Sequence, residues 1–186
     1  MAIYYLIRHG EANYSELMEH HFFGFGRDLA PLTEKGILQA EETSKDDRLK
    51  TAELVISSPY TRALQTAQII SRNTGIEVRV ELDLHEWLPD LSNKYTTSEE
   101  AFRLTDEFVA CKGTYPIGTK KLWETLEDMR KRMRKVADKY ADYEKIIFVG
   151  HGMAFRTLAY IEKMKPAEIV ECSYNIGQEE CIYSFY

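Results

Sequence analysis

The chain has 186 residues, with 24 Lys and Arg against 30 Asp and Glu, giving a formal net charge of −6. A chain of this length forms one domain and can bury roughly 70% of the surface it exposes when extended, so folding requires neither disulfides nor a structural metal. The acidic balance argues against a nucleic-acid partner, which asks for a basic face, yet permits a locally basic pocket for a small anion.

Cys111, Cys172 and Cys181 form no CxxC and no zinc spacing, and read as free thiols of a reducing compartment. The sequence enters a strand at once, with no charged-then-apolar leader, and has no run near the roughly 18 apolar residues of a membrane span. A cytoplasmic protein without membrane contact is expected.

Ile3–Ile7 is a short apolar, β-prone run that delivers Arg8-His9-Gly10-Glu11. Residues 11–31 are poorly periodic and aromatic, with His20, His21, Phe22, Phe23 and Phe25 broken by Gly24 and Gly26, and read as an active-site loop or irregular linker. Thr33 can cap the amide of Gly36 at the start of a helix running from Glu34 to about Asp46. Leu54–Ile56 forms a second strand, followed through Ser57-Ser58-Pro59 by a helix over 60–72 with Ala63, Leu64, Ala67 and Ile70 as its apolar stripe. Residues 77–80 make a third strand, and an irregular stretch around Glu86, Trp87 and Pro89 follows. Helices are expected over 98–110 and 119–140, the second with Leu122, Leu126, Met129, Met133 and Val136 at helical spacing. Its basic cluster, Arg130 to Lys135, reads as the solvated face of an amphipathic helix. Ile146–Val149 is a strand delivering Gly150-His151-Gly152, and a helix is expected from there to about Glu162. Two late strands, at 168–172 and 180–185, complete an α/β layered sheet.

Two histidines at strand tips, His9 and His151, are the main clue to chemistry, because ligands of α/β sheets bind beyond the carboxyl ends of the strands. No HExxH or cysteine spacing supplies a third zinc ligand, and Arg8 beside His9 suits an anion better than a cation. Arg62, in the first turn of its helix, adds a second guanidinium where the helix N-terminus also favours negative charge. Arg156 is a weaker candidate with an equally good structural role. Phosphoryl transfer fits: neutral imidazole attacks phosphorus, the arginines hold the oxygens, and a carboxyl protonates the leaving group. Glu86 is the carboxyl placed for this, beside a tryptophan and leucines that could raise its pKa.

These segments together resemble the histidine phosphatase superfamily, which includes the cofactor-dependent phosphoglycerate mutases. Arg8-His9-Gly10-Glu11 matches its signature, Leu32-Thr33-Glu34-Lys35-Gly36 its following helix entry, and Ser57-Ser58-Pro59-Tyr60-Thr61-Arg62-Ala63 its second phosphate-binding segment. Leu84-His85-Glu86 is similar to its proton-donor segment, and Val149-Gly150-His151-Gly152 to its late histidine. The resemblance spans the chain. It implies a single-domain, phosphoglycerate mutase-like α/β fold, mostly parallel, with helices on both faces and a helical insertion at about 98–140. It further implies His9 as nucleophile, Arg8, Arg62 and His151 as phosphate pocket, Glu86 as general acid and then base, and no metal or cofactor. Departures occur where Ala12 and Ser15 replace the family's usual hydroxyl and asparagine, Ser15 being kept as a phosphate-binding candidate. In Gly24-Phe25-Gly26-Arg27-Asp28 the acid is displaced by one residue.

The expected function is hydrolysis of a small phosphomonoester through a phosphohistidine intermediate. A mutase would need further carboxylate-binding contacts, for which Arg27, Lys94 and His20 are the spare candidates. Removal of phosphate from protein histidines and a catalytically weak phosphate-binding or interaction module are the other readings. Phe22, Phe23, Phe25 and Trp87 suggest an aromatic cover over the pocket. The expected partner is a small phosphorylated substrate, with homo-oligomerisation open.

Overall fold

The computed structural model describes residues 1–116 and 118–178. At its centre is a five-stranded sheet of β1 (Ala2–Arg8), β2 (Leu54–Ser57), β3 (Val78–Val80), β4 (Lys145–Gly150) and β5 (Ile169–Tyr174), in the order β3-β2-β4-β1-β5. β3, β2, β4 and β1 run parallel, and β5 closes the β1 edge antiparallel. The strand expected over 180–185 lies outside the described residues, as does Cys181. The helices are α1 (Ser15–Glu19), α2 (Glu34–Thr43), α3 (Thr61–Thr74), α4 (Ser98–Ala110), α5 (Leu126–Lys139) and α6 (Gly152–Phe155).

Because side chains alternate along a strand, a parallel sheet buried on both sides needs apolar residues at every position, and β1, β2 and β4 supply them. Tyr5, Ile7, Val55, Ile147 and Val149 meet Ala63, Ala67 and Ile70 of α3 on one face. Tyr4, Leu6, Ile56 and Phe148 meet Met129, Met133 and Val136 of α5 on the other. The Tyr4 hydroxyl donates to the Ala137 carbonyl at 2.6 Å and ties β1 to α5. α2 lies outside α3, joined through Ala40 and Ile69.

Two helices differ from expectation. α5 begins at Leu126, because the Tyr115 hydroxyl accepts the amides of Leu122 and Trp123 while the Glu124 amide donates to the Leu88 carbonyl. Residues 122–124 therefore run as a strap along the segment after Glu86, and Thr125 caps α5 by accepting from the Asp128 amide. Leu122, four residues before Leu126, mimics another helical turn but is exposed. α6 is a single turn ended by Thr157, whose hydroxyl donates to the Ala154 carbonyl. Among the described residues no helix is long and apolar enough to cross a membrane.

Candidate active site

Register assembles the site. β1 and β4 pair with Arg8 opposite Gly150, so His9 and His151 emerge side by side, their ring centroids 5.2 Å apart. β2 pairs with β4 through Ser57 and Val149, which places Ser58 beside them, its Oγ 2.8 Å from His151 Nε2. The turn through Pro59 then starts α3 with Arg62 in its first turn.

The His9 ring is fixed from both ends. Nδ1 lies 2.7 Å from the Gly10 carbonyl, a group that only accepts, so Nδ1 carries the proton. Nε2 then holds the lone pair, and Arg62 Nε donates to it at 3.3 Å. Burial, followed by the charges of Arg62 and Arg8, pushes the His9 pKa down to about 3. His151 is fully buried, and burial with Arg62 and His9 nearby holds it well below its ordinary value. Both imidazoles are thus neutral at pH 7, as a nucleophile toward phosphorus requires.

Three cationic or polar groups gather beside His9. Arg8 is anchored by donating from Nη1 to the Met164 carbonyl at 2.5 Å. Arg62 is 5% exposed, lies over the Tyr60 ring at 4.9 Å, and its Nη1 has no hydrogen-bond partner among the described residues. His151 Nδ1 is likewise buried without one. Arg156 instead spans the carbonyls of Ile161 and Glu162.

Glu86 sits at the N-terminus of α6. Its carboxylate accepts amide N–H groups from Trp87 at 2.9 Å, Ala154 at 3.1 Å and Met153 at 3.3 Å. The expected apolar surround of the carboxyl is therefore replaced by backbone amides, and the Trp87 indole donates elsewhere, to the Glu124 carbonyl at 2.7 Å.

Arg8, His9, Arg62 and Glu86 line one cleft of about 310 Å³, with Tyr14, Trp87, Leu88, Tyr95 and Phe102 also among its walls. His151, fully buried against His9, does not line it. Ser15 is not a lining residue: it is exposed at the start of α1, its amide donating to Asn13 Oδ1, and Tyr14 takes the wall position. Phe22, Phe23 and Phe25 also lie outside this cleft, so Trp87 is the one member of the expected aromatic cover that lines it. Of the spare cations, Arg27 lines the cleft, its guanidinium over Tyr14 at 5.0 Å and Phe102 at 5.9 Å, whereas Lys94 and His20 do not.

Gly10 lies against the first turn of α2. A Cβ there would lie 2.4 Å from the Gly36 carbonyl oxygen, and one on Gly36 would lie 2.2 Å from the Glu11 carbonyl oxygen. The two glycines let α2 meet the loop after His9 backbone to backbone. Thr33 caps Gly36 as expected, and the Glu11 carboxylate, held below its usual range by Lys35 and Thr33, binds the same helix entry.

The supports were not visible in sequence. Thr66 accepts the Gly10 amide at 3.1 Å, reaching the loop after His9 from the second turn of α3. Arg132, expected on a solvated face, has a side chain only 9% exposed; it pairs with Glu124 at 2.6 Å and donates to the carbonyls of Asp83 and His85. It clamps the segment that carries Glu86. Asp28 and Tyr60 also line the cleft.

A family model described as histidine phosphatase superfamily (branch 1) matches residues 4–177. The chain is 30% identical over 156 residues to "Putative phosphoserine phosphatase 2" of Hydrogenobacter thermophilus, covering 80% of this chain and 72% of that protein. It is 29% identical over 160 residues to "Probable phosphoglycerate mutase GpmB" of Cronobacter sakazakii, covering 83% and 71%. Among solved structures, mycobacterial glucosyl-3-phosphoglycerate phosphatase matches in fold with a TM-score of 0.68 and 19% identity, over 92% of this chain and 90% of that one.

Proposed function

Since the chain belongs to the histidine phosphatase superfamily, we propose that it hydrolyses a small phosphomonoester through a phosphohistidine formed on His9. The observation carrying this reading is the state of His9: Nδ1–H bound to the Gly10 carbonyl and a free-base Nε2 beside Arg62.

The phosphoryl group enters among Arg8, Arg62 and His151, and its oxygens draw on the Arg62 donors. The Nε2 lone pair attacks phosphorus, the P–N bond forms and the P–O bond to the alcohol breaks. The leaving oxygen takes a proton from a carboxyl group, a role the resemblance gives to Glu86. Water then attacks phosphorus, the carboxylate takes its proton, and the P–N bond breaks to release phosphate and neutral His9. Fixed guanidinium donors stabilise the charge carried by the equatorial oxygens in both steps.

Mutase-type phosphoryl transfer is the second reading, favoured by the relatives bearing that name. A mutase must hold a second anionic group on the substrate and keep its intermediate from water. Arg27 is the cation of the cleft beyond Arg8 and Arg62, and it is stacked between two rings. That supports hydrolysis ahead of transfer. Phosphate release from a panel of phosphomonoesters, wild type beside His9→Ala, tests the reading. Release abolished by the substitution supports it. A folded protein that interconverts phosphoglycerates without releasing phosphate would favour the mutase.

A further inference from the structure

One ionisable group of the cleft has no part in the mechanism above. Asp28 lies in the last turn of the 3₁₀ helix Gly24–Leu29 and lines the same cleft as His9, Arg62 and Glu86. Its side chain is 22% exposed, and Oδ1 stands 3.8 Å from Arg62 Nη1, the buried donor without a hydrogen-bond partner. The Tyr60 hydroxyl donates to its carboxylate. An acid facing the phosphate-binding arginine, at ion-pair range, weakens an anion site unless it carries a proton when the anion arrives.

We propose that Asp28 is a second general acid of this site, protonating the leaving oxygen of the phosphomonoester alongside Glu86. As the P–Nε2 bond forms and the P–O bond breaks, the electron pair of that bond passes to the alcohol oxygen. The Asp28 carboxyl gives that oxygen its proton and becomes a carboxylate held by Tyr60 and Arg62. Proton and charge therefore leave Asp28 as the alcohol leaves.

Two observations support the assignment. Both Glu86 oxygens already accept amides at the start of α6, whereas Asp28 accepts from the Tyr60 hydroxyl and stands 3.8 Å from Arg62. Burial pushes the Asp28 carboxyl up to about 6, against the attraction of Arg62 and Arg27 and the Tyr60 hydrogen bond, with Glu86 adding to the rise. Tyr95 also faces it. An acid near this value is matched to proton transfer around neutral pH.

The inference rests on the phosphatase reading, and leaving-group dependence separates the two. kcat/KM reports the steps through alcohol release, so it is compared for p-nitrophenyl phosphate, whose leaving group needs no proton, and for n-propyl phosphate, whose leaving group does. Asp28→Asn is expected to lower kcat/KM for the propyl ester about 100-fold or more, and for the aryl ester less than about 10-fold. Tyr60→Phe removes a hydrogen bond that lowers the Asp28 pKa, so the alkaline limb for the propyl ester should move to higher pH. Equal losses on the two esters, or a limb that does not move in Tyr60→Phe, would overturn the proposal and leave Asp28 as a support for Arg62. Glu86→Gln alone carrying the whole selective loss would overturn it also. Wild-type release from neither ester would overturn the phosphatase reading together with this one.

Discussion

Arg62 Nε donates to His9 Nε2 across 53 positions of sequence and 3.3 Å of space. The bond exists only while Nε2 is unprotonated, so one side chain both reports and enforces the neutral form of the other. The Nη1 of the same guanidinium has no hydrogen-bond partner among the described residues, with Asp28 Oδ1 at 3.8 Å.

Replacing Arg62 should therefore do two things at once. Arg62→Met is expected to lower kcat/KM about 100- to 1,000-fold through lost charge stabilisation. Arg62→Lys should recover little of it, because an ammonium cannot span a ring nitrogen and a phosphate oxygen as the guanidinium does. In Arg62→Met the His9 pKa should also rise from about 3 toward its ordinary value, since Arg62 is the largest lowering influence after burial. NMR titration of the His9 ring checks this; an unmoved pKa contradicts it.

Acid stability follows from the two buried neutral imidazoles. Unfolded histidine binds a proton near pH 6.5, whereas His9 in the fold does so only at about 3, and His151 well below its ordinary value. Below pH 6.5 the unfolded chain holds protons that the native one refuses. The stabilisation is thus complete above pH 6.5 and is lost as pH falls toward 3, by roughly a few kcal/mol. Urea unfolding of wild type and His9→Asn from pH 8 to 4 measures it. The wild-type midpoint should fall more steeply; parallel curves would contradict the neutral-imidazole account.

The glycine pair Gly10 and Gly36 gives a third expectation. In Gly36→Ala the new methyl would lie 2.2 Å from the Glu11 carbonyl oxygen, a backbone atom that cannot rotate away. α2 must move off the nucleophile loop, at a cost of about 1–3 kcal/mol. A lower Tm with reduced kcat is expected, and an unchanged Tm would show that the contact is not tight.

Arg132 is the fourth. Arg132→Met leaves Glu124 buried and unpaired, which should cost about 3–5 kcal/mol. Adding Glu124→Leu should restore much of that stability in denaturant unfolding. It should not restore kcat, because the hydrogen bonds that hold the carbonyls of Asp83 and His85, next to Glu86, stay lost. Joint recovery of stability and turnover would contradict a positioning role.

Residues whose role follows from a strand end were legible in sequence. His9, His151 and Arg62 each stand within a few positions of a strand terminus or helix start, where apolar runs, glycine and proline mark the boundary. The sheet was legible for the same reason, because parallel strands buried on both faces are continuous apolar runs. Helix length was less so: Leu122 keeps the helical spacing of α5, yet its backbone is taken by Tyr115. Burial of charge was not legible at all. Arg132 looks like its basic neighbours until Glu124 folds against it, and Thr66 shows no polar signal beyond its place on α3. Asp28 stood out only as an acid one residue out of place.

Covalent labelling of His9 tests the central claim most directly. Rapid acid-free quenching of the protein with a phosphorus-labelled phosphomonoester, followed by peptide mapping, should give an alkali-stable, acid-labile label on His9 that decays as free phosphate appears. His9→Ala should carry none. Phosphate released by wild type with no label on His9, at times shorter than one turnover, would show direct attack by water and contradict the account.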